Sequence, residues 1–137
     1  MDQIVPYLNF SGNCEEALTF YKDVFGGEIT VMMRYDGSPV EVTEDQKDKV
    51  LHSQFKAGNI FFMASDAMHG KPAVPGDTIS LSLNFDSEDE QQKIFDNLSS
   101  GGNITMPLKD TFWGAKFGMI VDKYGITWMF NHDKPQA

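Results

Sequence analysis

A chain of 137 residues carrying a net charge of -9 is long enough to fold as one domain, burying roughly two thirds of its unfolded surface without metal or disulfide staples. Eleven Lys and Arg against 20 Asp and Glu argue against a nucleic-acid or anionic-membrane surface, since both reward clustered basic residues. The single cysteine, Cys14, excludes an intramolecular disulfide.

The opening MDQIVPYLNF has no basic segment followed by an apolar one, and no apolar run reaches the roughly 18 residues of a membrane span. A cytoplasmic protein in a reducing compartment is the expectation. Ile4 to Phe10 then alternates, with Pro6, Leu8 and Phe10 on one side and Val5, Tyr7 and Asn9 on the other, which is the period of a strand. Pro6 cannot donate to a ladder, so the strand should start late. Asn13 is placed to cap a helix whose apolar stripe is Ala17, Phe20, Tyr21 and Val24, and Gly26 and Gly27 should stop it. Three strand-like segments follow, EITVMMRYD, KVLHSQFKA and NIFFMAS, with a short helix predicted at TEDQKDK under Thr43 and Gln46 caps. A linker rich in Pro and Gly runs through residues 67–77.

The second half repeats the first. LNFDSEDEQQKIFDNLSSGGNIT, from Leu83, superposes without a gap on LNFSGNCEEALTFYKDVFGGEIT, from Leu8, with nine identities in 23 positions. Here Ser87 and Glu90 make a capping box, Ile94, Phe95 and Leu98 form the stripe, and Gly101 and Gly102 close the helix. The strands NITMPLKD, AKFGMIVD and ITWMFN follow, with DKYG as a hairpin turn. Each half reads βαβββ.

Carried by YLNFSGNCEEALTFYKDVFGGEI, LHSQFKAGNIFFMASDAM and DTFWGAKFGMIVDKYGITWMFN, the chain resembles the PhnB-like branch of the vicinal oxygen chelate superfamily, which holds glyoxalases, bleomycin-resistance proteins and extradiol dioxygenases. The resemblance covers nearly the whole chain. It implies an α+β fold in one domain, 1–137, of two tandem βαβββ modules, about 1–66 and 78–132. Their curved mixed sheets would surround a cup, with helices outside, usually in a homodimer. Tyr7, Asn9, Ser82 and Asn84 would then point into the cup, and Leu8, Phe10, Leu83 and Phe85 would pack beneath the helices.

Metal-using members of that superfamily place His or Glu on the first and last strand of each module. Counting from Phe10 and Phe85 puts the first-strand positions at Val5 and Ser80, and counting from Gly58 and Gly125 puts the last-strand positions at Phe62 and Met129. Val, Phe and Met offer no hard donor and Ser a poor one, so no metal and no cofactor are expected. A methyltransferase label often attached to this branch has no support in the residues, because Gly26 and Gly27 follow a helix instead of opening one after a strand.

Several side chains carry chemistry with a plain alternative beside it. His52 and Gln54 share one face of VLHSQF; His52 is a candidate catalytic base or orienting donor, or else a structural histidine. His69 in the linker and His132 in the tail are expected to be solvated. Arg34 is a candidate anion anchor, or a surface or intersubunit ion pair. Trp113 and Lys116 could close over a ligand, unless Phe112 or Trp113 plugs the core. Cys14 opens a helix, yet has no adjacent His or second Cys and is read as inert. Met32, Met33, Met63, Met119 and Met129 would make an adaptable lining if they face the cup, and core or dimer filler otherwise. The acidic stretches SEDEQQ and TEDQKDK suit helix starts better than a calcium loop.

The expected function is small-molecule binding in a metal-free cup, with Tyr7, Asn9, Arg34, Gln54, Ser82, Trp113 and Lys116 as ligand residues and His52 as the catalytic candidate. The alternative is a lyase, isomerase or dioxygenase-type enzyme whose catalytic group has moved to His52. Neither nucleic acid nor membrane is expected as a partner.

Overall fold

The computed structural model describes residues 1–68 and 70–135, so the expectation for His69 lies outside the described residues. The chain divides into two compact units, Met1–Val74 and Pro75–Ala137, each a βαβββ module. In the first, β1 (Tyr7–Phe10), α1 (Cys14–Phe25), β2 (Glu28–Arg34), β3 (Val50–Ala57) and β4 (Ile60–Asp66) follow in order, with a 3-10 turn at Glu44–Gln46. In the second, β5 (Leu81–Asn84), α2 (Glu88–Leu98), β6 (Asn103–Asp110), β7 (Ala115–Val121) and β8 (Thr127–Asp133) do the same. The sheets have the orders β1-β4-β3-β2 and β5-β8-β7-β6. In each, the first strand runs parallel to the last and the remaining pairs are antiparallel, so both sheets are mixed. The fold is the α+β tandem of βαβββ modules. No helix among the described residues is long and apolar enough to cross a membrane.

Alternation along the strands divides each sheet into a helix face and a far face. In the first module Leu8, Phe55, Phe62 and Ala64 turn towards α1 and are almost wholly buried. Phe62 stacks on Phe55 at 4.8 Å between ring centroids and meets Tyr21 of α1 edge-on at 5.8 Å, arrangements that add about 0.5–1.5 kcal/mol each to simple burial. In the second module Trp128, Phe130 and Ile120 do the same under Ile94, Phe95 and Leu98 of α2. β1 begins at Tyr7, immediately after Pro6, as the missing amide of proline requires.

The repeated Gly pair has two jobs. Gly26 and Gly101 take φ of 71° and 75°, the left-handed conformation that turns the chain out of the helix at little cost only for Gly. Gly27 and Gly102 lie against the sheet: a Cβ there would sit 2.6 Å from the Lys56 carbonyl oxygen and 2.4 Å from that of Val121.

The caps depart from the sequence reading. Asn13 makes no side-chain cap bond. The amides of Gly12 and Cys14 instead donate to Oδ1 of Asp66, at the end of β4, and the Val50 amide donates to Oδ2, each at 2.9 Å. Ser87 does cap α2, accepting from the Glu90 amide. Neither Thr43 nor Gln46 caps the 3-10 turn with its side chain: the Thr43 hydroxyl donates to Asp45 and the Gln46 side-chain amide to the Ala67 carbonyl. In the DKYG loop Asp122 accepts from the Tyr124 and Ile126 amides and from the Trp128 indole at 2.8 Å, which lets the largest side chain of that core be buried with its N–H satisfied.

Candidate functional site

The far face of the first sheet holds a cluster of polar side chains set among apolar ones. Strand register puts Tyr7, Met63, Gln54 and Val31 in one row across β1, β4, β3 and β2, with Asn9 beside Ser65 and His52 beside Met33 in the next. Tyr7 and His52 reach towards each other across β4. The phenol oxygen lies 3.0 Å from His52 Nδ1, and the rings stack at 5.8 Å with an interplanar angle of 29°. On its other side, His52 Nε2 lies 3.3 Å from the side-chain amide nitrogen of Gln54. Tyr7 is 40% exposed, and His52, Gln54, Met63 and Ser65 are half-buried. A cluster of this kind can hold a ligand oxygen or nitrogen by directed hydrogen bonds while the thioethers and Phe61 cover its apolar parts.

The far face of the second sheet is built differently. Ser82, Met129, Met119 and Met106 form one row, and Asn84, Asn131, Phe117 and Lys109 the next. Asn131 donates to Asn84 at 3.4 Å and to Asp133 at 3.1 Å. Trp113, 57% exposed in the β6–β7 loop, packs edge-on against Phe112 at 5.0 Å and Phe117 at 6.2 Å. Trp113 therefore borders this face and does not plug the core.

Four expected assignments are corrected by the geometry. Arg34 follows a register shift after Met33 and turns to the helix side, where it donates to both carboxylate oxygens of Glu15 at 3.1 and 2.8 Å and to the Asp48 carbonyl. That pairing holds Glu15 below the usual carboxylate range and raises Arg34; it is an ion pair within the chain. Lys116 is the cross-strand partner of His132 on the α2 side and donates to Glu88 at 3.0 Å. The same hydrogen bond holds the Glu88 carboxyl low. His132 belongs to β8, not to a tail; it is buried, with Nδ1 donating to the Phe85 carbonyl at 2.9 Å. Among the methionines, Met33, Met63, Met119 and Met129 lie on the far faces, whereas Met32 pairs with Ser53 on the helix face.

The metal positions expected on the last strands shift as well. Phe62 and Met129 are not equivalent, because β3 and β4 are joined by a tighter turn than β7 and β8. Register pairs Tyr7 with Met63 and Ser82 with Met129, while Phe62 is buried under α1. The equivalent set is thus Val5, Met63, Ser80 and Met129, which still supplies no imidazole or carboxylate and does not fit the superfamily's divalent metal. Among the described residues no three His, Cys, Asp or Glu side chains are grouped to hold one.

Cys14 is buried against Ser53, and burial pushes its thiol pKa up to about 12, so it is a packing residue without nucleophilic character. A cavity of about 490 Å3 lies by the α1 N-terminus, lined by residues that include Ser11, Asn13, Gln46, Lys49 and Ala67. Lys49 there donates to the Gly12 carbonyl at 2.9 Å and Gln46 to Ala67. Lys49 and Gln46 thus serve the loops that they line.

A family model described as 3-demethylubiquinone-9 3-methyltransferase matches residues 2–130. The label that found no support in the residues is therefore the family's own description, even though Gly26 and Gly27 form a helix cap and not a nucleotide loop. The chain is 32% identical to protein YjdN of Escherichia coli K12, over 96% of this chain and 95% of that one. Among solved structures it is similar to protein PA1353 from Pseudomonas aeruginosa, with a TM-score of 0.88 and 41% identity over 98% of this chain and 100% of the other. It is also similar to a Bacillus cereus PhnB protein that carries the same methyltransferase description, with a TM-score of 0.77 and 32% identity over 96% and 99%. A glyoxylase/bleomycin resistance protein/dioxygenase domain from Frankia sp. EAN1pec shares the fold, with a TM-score of 0.71 at 12% identity over 98% and 99%. The chain belongs to the family described as 3-demethylubiquinone-9 3-methyltransferase and is PhnB-like.

Proposed function

We propose that this PhnB-like protein binds a small molecule on the far face of its first sheet, at Tyr7, Asn9, His52 and Gln54, without the superfamily's metal. The observation that carries the reading is the Tyr7–His52–Gln54 cluster, three hydrogen-bonded polar side chains held on a strand face among Met33, Met63 and Phe61. Ser82, Asn84 and Trp113 bring a similar mixture of polar and apolar groups to the second module. Arg34 and Lys116 drop out of the ligand set because Glu15 and Glu88 occupy them. A cytoplasmic homodimer completes the proposal; native mass spectrometry reads its subunit number and any retained ligand together.

The test of ligand binding uses protein labelled with 13C at the methionine methyls and a library of small neutral aromatic fragments. Binding at the far face moves the Met33 and Met63 signals and leaves Met32, on the opposite face, in place. A library that moves neither Met33 nor Met63 would sink the proposal.

The 3.0 Å contact between Tyr7 and His52 also favours a second reading, an enzyme in which Tyr7 gives its proton to a substrate oxygen and takes one back from a protonated His52, which solvent recharges. Turnover of a dicarbonyl or hydroperoxide substrate that is lost in His52→Ala would support it. Turnover unchanged in that variant removes His52 from the chemistry.

A further inference from the structure

We propose that the ligand of this face is a neutral molecule presenting a carbonyl-type oxygen, held by a hydrogen bond donated from the Tyr7 hydroxyl; the inference rests on the far face being the binding surface. It follows from the direction of the bonds. The atom of Gln54 that faces His52 is its amide nitrogen, 3.3 Å from Nε2. An amide nitrogen only donates, so Nε2 accepts, and in the neutral imidazole the ring proton sits on Nδ1. Nδ1–H then donates to the Tyr7 oxygen, 3.0 Å away. The oxygen accepts that bond, and its own O–H is left to donate outwards from a residue 40% exposed.

Gln54, His52 and Tyr7 thus form one chain of donors pointing the same way. Each bond polarises the next and makes the terminal hydroxyl a better donor than an isolated phenol. Such a group selects for an acceptor. A ligand that offers only a donor finds its partner proton already in place, which costs the contact.

Charge narrows the class further. The side chains around the cluster, Asn9, Ser65, Met63, Val31 and Met33, are uncharged. The charged residues of this face, Glu28 and Lys56, are cross-strand neighbours of each other and of opposite sign, lying beyond Gln54 along β3. With His52 neutral, nothing beside Tyr7 compensates a carboxylate or phosphate, and a chain of net charge -9 repels one at a distance. Gln54 acts here as a positioning residue, fixing the tautomer of His52, and Tyr7 is the residue that touches ligand.

The test compares acetophenone, ethylbenzene and benzoate, similar in size, by titrating each into methyl-labelled protein and following Met33 and Met63. A single hydrogen bond predicts that acetophenone binds about three- to tenfold tighter than ethylbenzene, with benzoate the weakest. Tyr7→Phe should erase the advantage of acetophenone over ethylbenzene. Benzoate binding as tightly as acetophenone, or an acetophenone advantage that survives in Tyr7→Phe, would overturn the inference while leaving the face a binding surface. Failure of all three probes to move Met33 and Met63 would remove both readings. The ranking on the unaltered protein decides the matter even if the variant folds poorly.

Discussion

Asp66 offers the sharpest test of how the first module is assembled. Its carboxylate is almost fully buried and accepts from the amides of Gly12, Cys14 and Val50, tying the entry of α1 and the start of β3 to the end of β4. Asp66→Ala leaves those donors without an acceptor. Cys14 and Val50 are buried and cannot recover water, at about 1–3 kcal/mol each, whereas Gly12 is partly exposed and can. Relief of the carboxylate's own desolvation offsets some of this, so the net loss should be about 3 kcal/mol. Asn13→Ala, which removes the residue at the usual cap position, should cost under about 0.5 kcal/mol because its side chain makes no cap bond. Urea unfolding followed by circular dichroism gives the stabilities, and amide hydrogen exchange at Cys14 and Val50 locates the effect. A loss below about 1 kcal/mol for Asp66→Ala, or an equal loss for Asn13→Ala, would show that the Asp66 carboxylate does not hold the helix entry.

Gly27→Ala and Gly102→Ala should each destabilise by about 2 kcal/mol or more, since the new Cβ meets a backbone carbonyl that cannot swing away; thermal melts within a degree or two of the parent would show that the sheet yields. Arg34→Met should leave acetophenone binding unchanged and cost less than about 1 kcal/mol at pH 7, as a largely exposed pair does. Because Arg34 depresses the Glu15 carboxyl, the pair stabilises above the unfolded Glu pKa and its contribution is lost as pH falls through the lowered folded value; the difference between parent and variant should therefore close on the acid side. A gap that persists there would contradict the pairing. Cys14 should resist a thiol-specific disulfide reagent in the native protein at pH 8 and react at once in denaturant, since its pKa lies near 12; rapid native labelling would contradict its burial.

Much of the architecture was legible because it is local. The repeat, the helix stripes, the Gly pairs and the sharing of one face by His52 and Gln54 all follow from spacing along a single element. The site was only half visible for the opposite reason. Tyr7 and His52 meet across an intervening strand, β4, and strand order is not written in either segment. Arg34 was misplaced because a register shift after Met33 sends it to the helix side, where a Glu from α1 waits. The Asp66 cap comes from the far end of the module, so the local signal at Asn13 misled. Phe62 and Met129 looked equivalent until the differing hairpin turns moved the match to Met63. His132 looked like tail because β8 runs through Asp133, past the last apolar residue of its pattern.

The proposed ligand class depends on the direction of the Gln54–His52–Tyr7 chain. Long-range 1H–15N correlation of the imidazole nitrogens at alkaline pH reads it directly, with His52→Gln identifying the signals. The predicted result is a protonated Nδ1 and a bare Nε2 on His52. A proton on Nε2 and a bare Nδ1 would reverse the chain, turn the Tyr7 hydroxyl inwards and leave no outward donor for a carbonyl oxygen.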